Sequence, residues 1–288
     1  MLEKLLDTES IMAINQDYIK NLLKRRDPKA HKGCFGHALL YAGSPGMAGA
    51  AVLSAKGCIR SGVGLLTVCT PQVNNDILQI SVPEAMVTWT DDLYASLDLN
   101  RFTAIGAGPG LGKGDSQTAL LDKLLKNATC PMVLDADALN IISQNSFLLD
   151  YVPAGSVITP HPGELARLTG KTEDWLQMAY KAIEFARNTG ITVVIKGAPT
   201  VTVSPCGKAF INTTGNVGMA TGGSGDVLTG IVLSLLAQGY DAIDAATIAV
   251  YIHGMAGDIA ANQLSTIAMT SADLITCLPK AWLNMERI

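Results

Sequence analysis

Short apolar or β-branched runs alternate with longer helical patterns along most of this 288-residue chain, and that alternation limits the fold more than any other feature. The runs HALLYAG, GLLTVCTP, FTAIGAG, PMVLDADALN, SVITPHP and ITVVIKG read as strands. Between them, GAAVLSAKGCIRSG, SQTALLDKLLKNA and GELARLTG read as helices. A series of βα units predicts a doubly wound, mostly parallel sheet with helices on both faces. TVTVSP and KAFINTT, separated by Cys206 and Gly207, predict a late hairpin. From Asp226 onward the pattern is wholly helical: one helix from about Asp226, a second from Asp241 through Ala261, then a C-terminal helix. With no linker or repeat, residues 1–288 are expected to form a single domain whose residues 1–30 are an N-terminal helical extension. A hydrophobic content of 48% is enough for its core.

The first of these three helices is entered through GNVGMATGGSGD, Gly215 to Asp226, which holds five glycines in twelve residues and one acid. In the following VLTGIVLSLLA, the residues Val227, Leu228, Ile231, Val232 and Leu235 recur at helical spacing. A helix N-terminus carries unpaired N–H groups and partial positive charge, so a loop without side chains lets an anion reach the amides. Asp226 would repel a phosphate. It could, however, take the proton from a hydroxyl that attacks a phosphoryl group. An isolated Gly-Asp before a helix would be read as a simple cap; the glycine content exceeds what a cap requires. The motif lacks the Gly-Lys-Ser/Thr of a P-loop, and GAGPGLG has Leu111 where a dinucleotide fingerprint needs its third glycine. A Rossmann dehydrogenase is therefore a weak reading.

A net charge of −4 and a pI near 5.5 argue against nucleic acid or an anionic membrane as partner. Cys34, Cys58, Cys69, Cys130, Cys206 and Cys277 are scattered without metal-ligand spacing and read as reduced core thiols. MLEKLLDTES has no basic region before an apolar one, and His253 and Asp258 interrupt the longest apolar run. A cytoplasmic protein without a membrane span is expected, and the Asn212-Thr213-Thr214 sequon is taken as chance.

Taken in order, GAGPGLG, VLDADALN, ITPHPGE and GNVGMATGGSGDVLTG closely resemble the NAD(P)H-hydrate dehydratases of the ribokinase-like superfamily. The resemblance runs from about Gly33 to the C-terminus. It implies an enzyme that uses ADP or ATP, with Mg2+, to dehydrate the hydrated form of NADH or NADPH by phosphorylating its C6 hydroxyl and eliminating phosphate. On this basis Asp226 is the catalytic base and Gly223, Ser224 and Gly225 form the anion hole. Lys196, Gly197, Ala198, Pro199 and Thr200, with Gly225, would bind the nucleotide. Gly49, Ala50, Gly108, Gly110 and His161, with Asp226, would bind the hydrate. Related kinases carry Asn-x-x-Glu where this chain has His161 and Glu164, so Glu164 would reach the metal through water. Ordinary turn and cap chemistry accounts nearly as well for Gly49, Ala50, Gly108, Gly110 and Glu164. A solvated turn lysine is the alternative for Lys196. Asp135, Asp137 and Asn140 read either as ligand contacts or as caps, and Met47, Met219 and Met255 as packing residues.

The resemblance also implies a homo-oligomer. It further implies a separately encoded hydrate epimerase, since roughly thirty residues precede the matching region. Two other functions compete: a vitamin-precursor kinase that keeps Asp226 but releases a stable phosphoester, and a catalytically silent nucleotide-binding protein, against which Asp226 argues.

Overall fold

A computed structural model of the chain describes residues 11–90 and 98–286. In chain order its strands are β1 (Ile11–Ala13), β2 (His37–Tyr41), β3 (Leu65–Thr70), β4 (Met86–Trp89), β5 (Ala104–Ala107), β6 (Met132–Leu134), β7 (Val157–Ile158), β8 (Thr192–Ile195), β9 (Val201–Val203) and β10 (Ala209–Ile211). They form one ten-stranded sheet in the order β1-β10-β9-β8-β7-β6-β5-β2-β3-β4. Every neighbouring pair is parallel except the two that involve β9, the middle strand of the expected hairpin region.

The helices are α1 (Gln16–Leu22), α2 (Ala48–Ile59), α3 (Asn75–Ser81), α4 (Asp115–Asn127), α5 (Ala136–Gln144), α6 (Pro162–Thr169), α7 (Trp175–Thr189), α8 (Ser224–Ala237), α9 (Ala242–Leu264) and α10 (Ser271–Leu283). Successive side chains of a strand face opposite ways, so Ala38 and Leu40 enter one core while Leu39 and Tyr41 enter the other. The first core packs α2, α8, α9 and α10 against the sheet. The second packs α4, α5, α6 and α7 against its other face. This is the expected doubly wound architecture. Strands buried on both faces explain the near-continuous apolar runs.

Several expectations need correction. The N-terminal extension is not wholly helical: residues 1–10 lie outside the described residues, and Ile11–Ala13 pairs in parallel with β10 before the short α1. Helix α8 begins at Ser224, two residues before Asp226, because Gly223 takes the left-handed conformation (φ 87°) that starts it. Residues Val227 to Ala237 are buried on every side, not along one stripe, since α8 is sandwiched between the sheet and α2. Cys34 and Cys206 are exposed and only the other four thiols are buried. Met47 is 50% exposed at the start of α2, so it does not pack, whereas Met219 and Met255 pack against the first core.

Candidate active site

In an open α/β sheet, ligands meet the protein outside the carboxyl ends of the strands, where the strand order reverses. Here the reversal falls between β2 and β5, which pair with each other while the chain leaves β2 for β3 on the far side. The turns after these two strands interlock. Gly43 donates its N–H to Pro109 O (2.9 Å) and Ser44 Oγ donates to Gly110 O (2.9 Å). Gly110 faces Ala50 so closely that a Cβ there would lie 2.8 Å from the Ala50 Cβ. Gly108, at φ 131°, has its α-carbon against the Asp135 backbone. Three expected hydrate contacts, Ala50, Gly108 and Gly110, are thus gathered at the reversal, while Gly49 stands open beside them with nothing near its Cβ position.

The N-terminus of α8 reaches the same rim. No side chain caps it, and among the described residues the amides of Gly225 and Asp226 find no protein acceptor. Asp226 sits in the first turn, where the helix dipole favours its charge. Burial works against that charge. Helped by the negative Asp135 and Asp137, it lifts the carboxyl to about 7, with Lys196 pulling the other way. A carboxylate that titrates near neutrality is matched to proton transfer at neutral pH.

A fixed ion pair lies next to this helix end. Asp135 is 1% exposed, and its two oxygens accept from Lys196 Nζ (2.6 Å) and Thr229 Oγ1 (2.7 Å). Burial alone would lower the Lys196 pKa, but Asp135 and Glu164 outweigh it and hold the amine above its usual value. Lys196 is therefore neither a solvated turn residue nor free to swing. Its amine stands 3.3 Å from where a Cβ on Gly225 would be, beside the open amides. Downstream, Thr200 Oγ1 donates to Gly197 O (2.9 Å) and closes Gly197 to Thr200 into a tight turn, with Gly197 and Ala198 exposed.

Pro162 starts α6, and His161 caps it. The His161 Nδ1 accepts from the amides of Gly163 (3.0 Å) and Glu164 (3.4 Å), and Glu164 Oε2 accepts from the His161 N–H (2.8 Å). Glu164 Oε1 lies 3.4 Å from His161 Nε2, and Oε2 lies 3.8 Å from Lys196 Nζ. The cap reading of Glu164 is thus realised in full, and the His161 side chain remains half-exposed at the rim. Of the VLDADALN residues, Asp135 is the ion-pair partner just described, while Asp137 Oδ2 accepts from the Gly112 N–H (2.9 Å).

Among the described residues no group of three or more His, Cys, Asp or Glu side chains could hold a metal ion alone. Mg2+ bound mainly by substrate phosphates keeps several waters and takes one or two carboxylates.

Sequence reasoning passed over Thr229 and His253. Thr229 lies one helical turn after Gly225, a spacing that would have placed it at the same rim. His253 was visible only as an interruption in an apolar helix. No described helix is long and apolar enough to cross a membrane.

A family model described as NAD(P)H-hydrate dehydratase matches residues 38–280. A bifunctional NAD(P)H-hydrate repair enzyme of Moorella thermoacetica is 39% identical over 93% of this chain, which covers 53% of that relative. The chain spans about half the length of the first curated relatives that it matches. An ADP-dependent (S)-NAD(P)H-hydrate dehydratase of Bacillus subtilis is 36% identical, over 94% of this chain and 98% of the relative. The crystal structure of an ADP/ATP-dependent dehydratase from the same organism, co-crystallised with ATP and Mg2+, superposes with a TM-score of 0.85 at 32% identity, covering 97% of this chain and 100% of that one. A ribokinase-like superfamily protein of Enterococcus faecalis superposes with a TM-score of 0.86 at 30% identity, covering 96% and 97%.

Proposed function

The chain belongs to the NAD(P)H-hydrate dehydratase family, and from that premise we propose that it uses ADP or ATP to convert hydrated NADH or NADPH back to the reduced cofactor. The observation that carries the reading is Asp226, a carboxyl poised at about 7 in the first turn of a helix where the amides of Gly225 and of Asp226 itself have no protein acceptor among the described residues.

Hydroxide is a poor leaving group, so the C6 hydroxyl of the hydrate is first phosphorylated. Asp226 takes the hydroxyl proton as the oxygen attacks the terminal phosphorus of the nucleotide, whose bond to the bridging oxygen breaks to release AMP from ADP or ADP from ATP. The amides of the Gly223-Ser224-Gly225 segment, with the dipole of α8, stabilise the charge that spreads over the transferred phosphoryl oxygens. Lys196, held charged by Asp135 and Glu164, adds a positive charge at the same place. Phosphate then departs, pushed by the lone pair of the ring nitrogen, and loss of a proton from the neighbouring carbon restores the dihydronicotinamide. The turn from Gly197 to Thr200 takes the AMP portion, and Gly49, Ala50, Gly108, Gly110 and His161 line the hydrate. Glu164 would help hold Mg2+ through water beside the nucleotide phosphates, where the ion would supply neutralising charge.

A homo-oligomer, a cytoplasmic place of action and a separate hydrate epimerase as functional partner belong to the same proposal. The six free cysteines suit a reducing compartment.

The test mixes the protein with NADH hydrate, Mg2+ and either ADP or ATP, following near-ultraviolet absorbance and phosphate release together. One phosphate per restored cofactor is expected, and the faster nucleotide is the preferred donor. A stable phosphorylated alcohol with no restored cofactor would turn the reading to a kinase.

A further inference from the structure

A loop that binds an anion through its backbone has few side chains with which to hold its own shape, so something else must fix it. In this molecule that role falls to one face of α9. Thr214 Oγ1 donates to Tyr251 O (2.9 Å), and Asn212 Nδ2 donates to Val250 O (3.2 Å). One turn on, Gly254 lies against Thr214 with no room for a Cβ, and Gly257 likewise lies against Met219. Asp258 then grips the head of the loop with both oxygens: Oδ2 accepts from the Gly215 N–H (2.9 Å) and Oδ1 from Asn216 Nδ2 (2.9 Å). At the tail, the Nε2 of His253 meets Ser224 Oγ at 3.3 Å. Positions 250, 251, 254, 257 and 258 follow the helical repeat, so a single stripe of α9 runs beneath the whole loop.

His253 is 8% exposed on an otherwise apolar stretch of helix, and its neighbour Ser224 is equally buried. Burial, with Lys196 adding to it, pushes the imidazole down to about 4, so it is neutral at working pH. It therefore holds Ser224 by a hydrogen bond without adding a charge beside Asp226.

We propose that α9 is the template of the anion-binding loop, with Asp258 and His253 as positioning residues that clamp its head at Gly215 and Asn216 and its tail at Ser224. The proposal rests on the reading of Gly223 to Asp226 as the phosphoryl site. Neither residue touches the reacting atoms. Each fixes the direction in which the amides point, and a misplacement of about 1 Å at a reacting centre can cost about a hundredfold in rate.

The experiment compares His253→Leu, His253→Gln and Asp258→Asn with the wild type in turnover and in backbone amide NMR. His253→Leu and Asp258→Asn are expected to lower kcat about tenfold to a hundredfold while the KM for nucleotide changes much less, because the transition-state charge is more sensitive to amide direction than the bound ground state. His253→Gln, which retains a hydrogen-bonding side chain, recovers most of the loss. Pyrophosphate should shift the amide signals of Gly223, Gly225 and Asp226 in the wild type and weakly or not at all in His253→Leu.

Unchanged kcat in both disruptive variants, or a Gln variant as impaired as Leu, overturns the clamp. Should the wild type restore no cofactor with either nucleotide, the dehydratase reading fails, and the pyrophosphate shifts judge the clamp alone. Equal shifts in wild type and His253→Leu then overturn it, and their loss in the variant supports it.

Discussion

Helices α6 and α8 both begin beside Lys196, and they treat their leading amides in opposite ways. At α6 the amides of Gly163 and Glu164 are taken by the His161 ring, and Glu164 folds back onto the His161 N–H. At α8 there is no side-chain cap, Gly223 turns the chain with φ 87°, and the first-turn carboxyl of Asp226 keeps a raised pKa rather than bonding to the backbone. The leading N–H groups are taken by the protein at α6, whose first residue Pro162 has none, and are left at α8, on Gly225 and Asp226, for something from outside. Pairing status, and not mere position at a helix start, separates a structural N-terminus from one that can receive a ligand.

The comparison breaks most visibly at the two acids. Asp226→Asn is expected to lower kcat by about a hundredfold to ten-thousandfold with nucleotide affinity largely kept, measured by cofactor recovery and by titration calorimetry. Glu164→Gln should lose much less. Equal losses for the two acids would remove the distinction between the two helix ends.

Next come the glycines. Alanine at Gly223 meets a positive φ worth about 1–2 kcal/mol and a collision with the Leu53 side chain. Gly163→Ala keeps an ordinary φ and meets only the His161 ring, Cε1 at 2.9 Å and Nδ1 at 3.2 Å. Thermal unfolding should therefore show the larger destabilisation for Gly223→Ala, accompanied by loss of turnover, and a reversed order would mean that α8 is not shaped for close approach.

The titration of Asp226 gives a finer test. A base that must be ionised makes kcat/KM rise through about pH 7 on the acid side. Asp135→Asn removes one of the negative charges that raise this pKa, so the rise should move to lower pH; a move to higher pH contradicts the assignment. Stability carries the opposite sign. The folded pKa lies above the unfolded one, so the ionised carboxylate costs stability in full above about pH 7 and not at all below about pH 4. Asp226→Asn should accordingly raise the melting temperature at pH 8, with the gain fading as the pH approaches 4.

The smallest effect separates the two roles of His161. His161→Asn preserves a capping side chain, so stability should change by a few tenths of a kcal/mol, whereas His161→Ala should lose about 1 kcal/mol. If His161 also holds the hydrate, both variants raise the KM for the hydrate and leave that for nucleotide unchanged. A normal KM for the hydrate in both variants would leave His161 as a cap alone.

Much of this was legible in the residues. The βα alternation gave the sheet because strands buried on both faces leave continuous apolar runs, and the hairpin around Cys206 and Gly207 followed from turn chemistry. GNVGMATGGSGD pointed to the rim of the site because glycine content and helix periodicity are both local signals. What escaped was nonlocal. Asp135, Thr229 and Lys196 lie far apart in the chain, and no spacing rule joins them. His253 and Asp258 act by facing a loop some thirty residues or more before them. The strand at Ile11–Ala13 exists only because β10 leaves an edge for it, so its local sequence could not announce it.

Helix α8 fills the space between α2 and the sheet, buried from Val227 to Ala237, and it also presents Asp226. A chain cut short before Ser224 would therefore lack both the central piece of one core and the carboxyl proposed as the base. On the proposed reading a chain so truncated consumes no nucleotide, because the residue that would spend it sits on the segment that completes the fold.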